Sequence, residues 1–162
     1  MNQTKEREWQ DKLEERRNAV FLVRDVLECT CPEEIFDHYQ VRHSVSEAIP
    51  VVQLIMGNRL LVWIVDGVKI VEPGQTLLRL LEQGLSVRES CGLNRFRLVV
   101  VDGSLSWEKE WVHLAEGLGT KVHLHVLPEL KNLISNGEIA LSPASQAGCL
   151  KLEVSMQFEL IS

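Results

Sequence analysis

Two aspartates stand at the ends of apolar runs and could together hold a metal ion. Asp66 follows the run RLLVWIV, Asp102 follows RFRLVVV, and each aspartate precedes a glycine. Runs of this kind, rich in β-branched residues and ending at a turn, are typical of buried strands. If these strands are parallel neighbours, both carboxylates lie at the carboxyl edge of the sheet, where α/β sheets bind ligands. The pair could bind Mg²⁺ for phosphoryl transfer or hydrolysis, and Ser104, at a helix start, could help to bind an anion.

The same aspartates also have a purely structural explanation. Asp-Gly is a favoured turn pair in which the carboxylate accepts a hydrogen bond from its own backbone. The sequence has no glycine-rich phosphate-binding loop and no dinucleotide-binding pattern, so no cofactor-binding residue is predicted. It also lacks the short motifs of serine hydrolases and zinc proteases. Whether the protein is an enzyme, and which cofactor it would use, therefore stays open.

Cys29 and Cys31 form a C-x-C motif immediately before Pro32. A thiolate at the start of a helix is favoured by backbone N–H groups and the helix dipole, although the glutamates on both sides oppose it. Metal binding would need further ligands, such as Cys91, Cys149 or a histidine. The motif favours a thiol/redox or metal-binding protein as one alternative function. Otherwise one of the two cysteines lies in the core and the other in a loop, while Cys91 and Cys149 act as small hydrophobes.

His123 and His125 lie two positions apart in the predicted strand KVHLHVL. Alternation along a strand places both side chains on one face, together with Lys121. Such a pair could chelate a metal if a third ligand approached it. The alternative is that both histidines simply line a half-exposed face of the strand.

Strands and helices that alternate along the chain must position these residues. Strands are predicted over 59–65, 95–101 and 121–127, and helices over 75–91 and around Trp107 and Trp111, which should be core residues. This alternation predicts crossovers between parallel strands. The remaining predicted elements are a strand over 38–45, a hairpin of 51–56 with 59–65 around Gly57-Asn58, a short helix after Pro128, a loop over 142–148 and an alternating strand over 150–160.

The expected fold is therefore an α/β domain with a mixed β-sheet. Its central part is a parallel βαβαβ unit, flanked by an antiparallel hairpin and a C-terminal edge strand, with the helices packed on the sheet. Residues 4–27 are predicted to form one long helix, followed by a short helix from Pro32 to Asp37. Gly84 is a potential interruption of the helix over 75–91. Residues 1–162 form a single domain in this interpretation, and the charged stretch 1–18 is expected to project from the core.

Composition narrows the expected partners. The chain has 162 residues and a formal net charge of -6, which disfavours non-specific binding to nucleic acid. No apolar run approaches the roughly 20 residues that a membrane span needs. The N-terminus has no apolar signal core, so a cytoplasmic location is expected. With no complete catalytic set, the leading hypothesis is a non-catalytic interaction or regulatory module that binds a protein partner or a second copy of itself.

Overall fold

A mixed sheet of five strands organises the chain, with the strands in the order β1-β2-β3-β4-β5. This computed structural model describes residues 4–101, 108–119 and 121–130. Three of its strands, β1 (Tyr39–Ser46), β2 (Ile49–Met56) and β3 (Leu60–Asp66), form an antiparallel meander. The other two, β4 (Arg95–Val101) and β5 (Val122–Leu127), continue the sheet parallel to β3. The predicted mixed α/β sheet with a parallel β3-β4-β5 part is confirmed.

Four α-helices accompany the sheet in the described part of the chain. They are α1 (Lys5–Leu13), α2 (Arg16–Val20), α3 (Pro73–Ser90) and α4 (Glu108–Leu118). A π-helix (Phe21–Val26) continues α2, and 3₁₀ turns cover Glu33–Phe36 and Gly67–Lys69. None of the helices in these ranges is long and apolar enough to cross a membrane. The predicted helix after Pro128 extends beyond the described residues. The predicted loop 142–148 and edge strand 150–160 lie outside them.

The main core lies on one face of the sheet. Alternate residues of β3, β4 and β5 share an apolar cluster with the leucines of α3, and Trp111 of α4 packs against it. Gly84 does not interrupt α3, which runs continuously from Pro73 to Ser90. Because Gly84 has no side chain, the ring of Phe96 has room to pack against the helix at this point. That ring meets the ring of Trp63 edge to face, with 5.7 Å between the ring centroids.

The predicted hairpin is confirmed, but its loop is one residue longer than the two-residue loop expected. The register pairs Met56 with Leu60, so residues 57–59 form the turn. Gly57 has a φ of +59°, which favours glycine, and a Cβ there would crowd Ile35 at 3.3 Å. The residue is therefore required both by the turn and by the close approach of the 3₁₀ turn Glu33–Phe36.

The N-terminal helix differs from the prediction in two ways. First, the single helix over 4–27 is broken at Glu15, whose ψ of 122° is extended. Side chains elsewhere satisfy the carbonyls at the break, since the Tyr39 hydroxyl donates to Leu13 O at 2.9 Å and Asn18 Nδ2 donates to Lys12 O at 2.9 Å. No glycine or proline marks this break, so helical periodicity alone predicts continuity.

Second, α1 does not project from the rest of the molecule. Its Trp9 and Leu13 side chains are buried, and the helix contacts β1, β2 and β3. The expectation that residues 1–18 extend beyond the core is therefore wrong for residues 5–13. The sequence shows few apolar residues on this helix, but two ion pairs, Lys5 with Asp66 and Lys69 with Glu6, add to their contacts.

Candidate anion-binding site

Asp66 is the last residue of β3 and is buried. Its Oδ1 accepts a hydrogen bond from Val68 N at 3.1 Å, so it caps the 3₁₀ turn that follows. Lys5 Nζ, at the start of α1, lies 3.4 Å from the same carboxylate. The parallel register pairs Asp66 with Val101, but Asp102 and Ser104 lie outside the described residues. Asp66, the member of the proposed metal pair that the structure describes, thus already caps a turn and pairs with a lysine.

A second buried carboxylate, which the sequence does not reveal, pairs with the 3₁₀ turn that follows Asp66. Glu6 is 1% exposed, and its Oε2 lies 2.7 Å from Nζ of Lys69 in the 3₁₀ turn after Asp66. Together Lys5, Glu6, Asp66 and Lys69 form two ion pairs that tie α1 to the end of β3. Within the described ranges no group of three or more histidine, cysteine, aspartate or glutamate side chains could hold a metal ion. The metal-dependent enzyme remains a hypothesis that depends on residues outside those ranges.

Cys29 and Cys31 form a disulfide in this structure, and both residues are buried. In this form neither sulfur is a thiolate that could bind a metal. Cys91, expected to behave as a small hydrophobe, is an exposed free cysteine at the end of α3, so that prediction is wrong. Cys149 lies outside the described residues.

Arg97 lies on the face of β4 opposite the main core, because its neighbours Phe96 and Leu98 point into that core. The residue is 7% exposed. Its Nη1 donates to the carbonyl of Leu27 at 2.9 Å and lies 2.9 Å from Nε2 of His125. Its Nε is buried and has no hydrogen-bond partner. The guanidinium thus donates to two neutral acceptors, and its Nε–H is left without a hydrogen bond.

His123 and His125 flank this guanidinium on β5. The register places His123 beside Arg97 and His125 beside Val99, and the two imidazole centroids are 6.5 Å apart. The prediction that both histidines share one strand face is confirmed by the alternating burial of β5. The contact with Arg97 argues against the metal hypothesis, since the ring nitrogen of His125 that would bind a metal accepts from a cation instead.

Burial and neighbouring cations lower the pKa values of this group. Burial, followed by the charges of Arg97 and His123, lowers the pKa of His125 to about 4. Burial and then Arg97 also lower the pKa of His123, which Glu116 opposes. Burial and then Arg95 lower the pKa of Arg97. In each case burial is the largest cause and a neighbouring positive charge is the next.

The charge of this cluster is not balanced by the described residues. Arg95 is two positions before Arg97 and therefore shares its strand face. Neither arginine has a carboxylate ion-pair partner in the ranges that the structure describes. We name the set Arg95, Arg97, His123 and His125 the arginine–histidine cluster. Its chemistry suits an anion: two fixed positive charges and two imidazoles that can each gain a proton.

Two short patterns in the sequence carry a signal for this cluster. An R-x-R pattern in one strand and an H-x-H pattern in the next parallel strand place four basic side chains on one face if the register aligns them. The actual register pairs Arg97 with His123, which aligns them. Periodicity predicted the faces, but the register could not be read from the sequence, because the helix between the two strands does not fix it.

The pKa of His125 predicts a loss of stability in mild acid. In the unfolded chain a histidine titrates near 6.5, whereas in the folded protein His125 takes a proton only near pH 4. The unfolded state therefore binds more protons between these values, and the free energy of unfolding should fall by about 3 kcal/mol as the pH drops from 7 to 4. Urea unfolding of the wild type and of His125→Gln at several pH values measures this.

Glutamine keeps an acceptor for Arg97 but does not titrate. The difference in the free energy of unfolding between the two proteins therefore reports the titration of His125, because both proteins contain Arg95, Arg97, His123 and Glu116. That difference should be constant above pH 6.5 and should shift in favour of the variant as the pH falls to 4. Parallel pH curves for the two proteins would contradict a depressed pKa at His125.

Comparisons of the chain with protein-family models, with curated proteins and with solved structures found no match. The class of this protein is therefore given by its architecture. Over its described residues it is an α/β protein with a mixed sheet of five strands in consecutive order.

Proposed function

We propose that this protein is a non-catalytic regulatory module that binds a small phosphorylated molecule at the arginine–histidine cluster. One observation carries the proposal: Arg97 is 7% exposed, and its guanidinium has no carboxylate partner in the described part of the chain. Burying a charge without an opposite charge costs several kcal/mol. Such a cost is easier to explain at a ligand site, where a bound anion offsets it, than at a position that serves folding alone.

The chemistry of the cluster favours a phosphoryl group over a single carboxylate. Arg95 and Arg97 supply two permanent positive charges, and a phosphate monoester carries about -1.5 to -2 at neutral pH. Guanidinium N–H groups and phosphate oxygens also match in geometry. His123 and His125 can each donate a hydrogen bond to a phosphate oxygen, and the bound anion would raise their lowered pKa values.

Titration with inorganic phosphate tests the proposal directly. Binding is followed through the imidazole proton resonances of His123 and His125, at constant ionic strength set by chloride. We expect saturable shifts with phosphate and at least tenfold weaker binding of acetate, which carries one charge. Arg97→Met should weaken phosphate binding at least tenfold, since it removes the buried charge while keeping a side chain of similar length.

Arg42→Met is the matched control. Arg42 is an exposed arginine on β1, at the opposite edge of the sheet from β5. Its replacement by methionine removes one positive charge, as Arg97→Met does, but away from the cluster. Phosphate affinity should be unchanged in this variant. Equal losses in Arg42→Met and Arg97→Met would indicate non-specific attraction, and the proposal would be abandoned. The folded state of each variant is checked by its thermal unfolding curve.

A cytoplasmic location and a partner protein or second copy of the chain belong to the same proposal, without nucleic acid or membrane as partners. The net charge of -6 supports the exclusion of nucleic acid. Size-exclusion chromatography with light scattering, with and without phosphate, measures self-association. A monomer under both conditions would remove the second copy from the proposal and leave the ligand site intact.

A further inference from the structure

The disulfide lies in the segment that contacts Arg97 of the arginine–histidine cluster. This segment, residues 27–31, follows the π-helix and leads into the 3₁₀ turn Glu33–Phe36. Its first residue, Leu27, provides the carbonyl that accepts from Arg97 Nη1. Two positions later comes Cys29, which is bonded to Cys31. The redox centre and the candidate ligand site are therefore joined by very few bonds.

Hydrogen bonds hold this segment in one conformation. Cys29 N donates to Val23 O at 2.9 Å, and the Cys31 carbonyl accepts from Arg24 Nη2 at 2.9 Å. Glu28, between Leu27 and Cys29, has a φ of +54°. Residues other than glycine rarely adopt such a φ, and those that do are held there by the surrounding structure. The disulfide is the one covalent constraint within the segment besides the backbone itself.

We infer that Cys29 and Cys31 form a thiol–disulfide exchange site, and that its reduction opens the arginine–histidine cluster to the anion. This inference rests on the proposed function. A dithiol reductant supplies two electrons and two protons: the Cys29–Cys31 bond breaks, two thiols form, and the reductant becomes a disulfide. Glu28 is then free to leave its left-handed conformation, and the Leu27 carbonyl moves away from Arg97.

The direction of the effect follows from what covers Arg97. In the disulfide form Nη1 is occupied by Leu27 O and His125, while Nε is buried without a partner. A carbonyl that withdraws leaves a donor free and exposes the charge to an incoming phosphate. The reduced protein should therefore bind phosphate about tenfold more tightly than the oxidised protein, which corresponds to about 1.4 kcal/mol.

Thermodynamic reciprocity gives a second measurement, which is made on the disulfide equilibrium and not on phosphate binding. If reduction tightens phosphate binding tenfold, saturating phosphate must shift the disulfide equilibrium towards the dithiol by the same factor. For a two-electron couple this is about 30 mV. Equilibration in glutathione buffers of graded ratio, with phosphate or with chloride of equal ionic strength, measures the shift. Both cysteines are buried, so the mixtures need long incubation before the thiols are trapped with iodoacetamide.

The experiment uses the full chain with Cys91→Ser and Cys149→Ser, so that only the two cysteines of interest react. Phosphate binding is measured before and after reduction with dithiothreitol. A third sample adds Cys29→Ser and Cys31→Ser, which should bind phosphate like the reduced protein and ignore the reductant. The imidazole resonances used for the wild type report binding in each case.

The possible outcomes are distinct. Equal phosphate affinity in the two redox states, together with an unshifted equilibrium, overturns the redox inference and leaves the phosphate site standing. Absence of phosphate binding in both states overturns the proposed function, and the inference falls with it. Two free thiols in the purified Cys91→Ser, Cys149→Ser protein before any reductant is added, under denaturing conditions and without air oxidation, would show that the disulfide does not form and would also overturn the inference.

Discussion

Replacement of Lys69 by methionine should destabilise the protein by about 3 kcal/mol, because it leaves the Glu6 carboxylate buried without its cation. Glu6 is 1% exposed and its oxygen lies 2.7 Å from Lys69 Nζ, whereas the side chain of Lys69 itself is 40% exposed. The exposure of the lysine reduces the effect below that of a fully buried pair. The free energy of unfolding from urea denaturation at pH 7 is the measurement.

A double-mutant cycle separates the lost attraction from other effects of the substitution. Glu6→Gln in the Lys69→Met background removes the unpaired charge, so the double variant should be more stable than Lys69→Met alone. If the two variants are equally unstable, the loss comes from altered packing and not from a stranded carboxylate.

An exposed ion pair in the same protein provides the matched control. Arg79 Nη1 lies 3.3 Å from Glu47 Oε1, but the arginine side chain is 54% exposed. Solvent screens such a pair, so Arg79→Met should change the free energy of unfolding by less than about 1 kcal/mol. A loss as large as that of Lys69→Met would mean that burial of the carboxylate is not what makes the Glu6 pair important.

The second large effect is expected at Gly84, where alanine should destabilise the protein by about 3 kcal/mol. A Cβ at this position would overlap the ring of Phe96, with the ring atom Cε1 only 2.7 Å away and two others closer. Phe96 is fully buried and is confined by Trp63, so its ring has little room to move. Overpacking of a core costs about 1 to 3 kcal/mol, and this overlap lies at the upper end.

Two variants make the test at Gly84 specific. Gly117→Ala, in an exposed position of α4 with no atom within 4 Å of the new Cβ, should instead stabilise the protein by about 0.5 kcal/mol through helix propensity. Phe96→Leu should relieve the overlap, so the double variant with Gly84→Ala should be more stable than the two separate losses imply. Additive losses would contradict a direct clash between positions 84 and 96.

Much of the sheet followed from local patterns in the sequence. The alternation of strands and helices predicted parallel strands over 59–65 and 95–101, and β3 and β4 are parallel neighbours. The hairpin predicted around Gly57-Asn58 also forms, with Gly57 at a φ of +59°. These features depend on residues close together in the chain, so the sequence reveals them.

The charged contacts could not be predicted in the same way. Glu6 and Lys69 are 63 residues apart, and nothing in a helix of mixed charge distinguishes the buried glutamate from its exposed neighbours. The break at Glu15 depends on Tyr39, which lies in a later strand. Arg97 was read as part of a buried strand, and its burial beside Leu27 depends on the course of a segment 70 residues earlier. Each of these requires the assembled fold.

The consecutive order of the five strands also governs how the chain can assemble during its synthesis. Each strand pairs with the strand made just before it, so no strand has to insert between two that are already joined. A chain emerging from the ribosome can thus extend the sheet from one open edge, through contacts that are short in sequence. β5 is the last of these strands, and it carries His123 and His125. If the sheet grows in this order, the arginine–histidine cluster is completed only when β5 joins it.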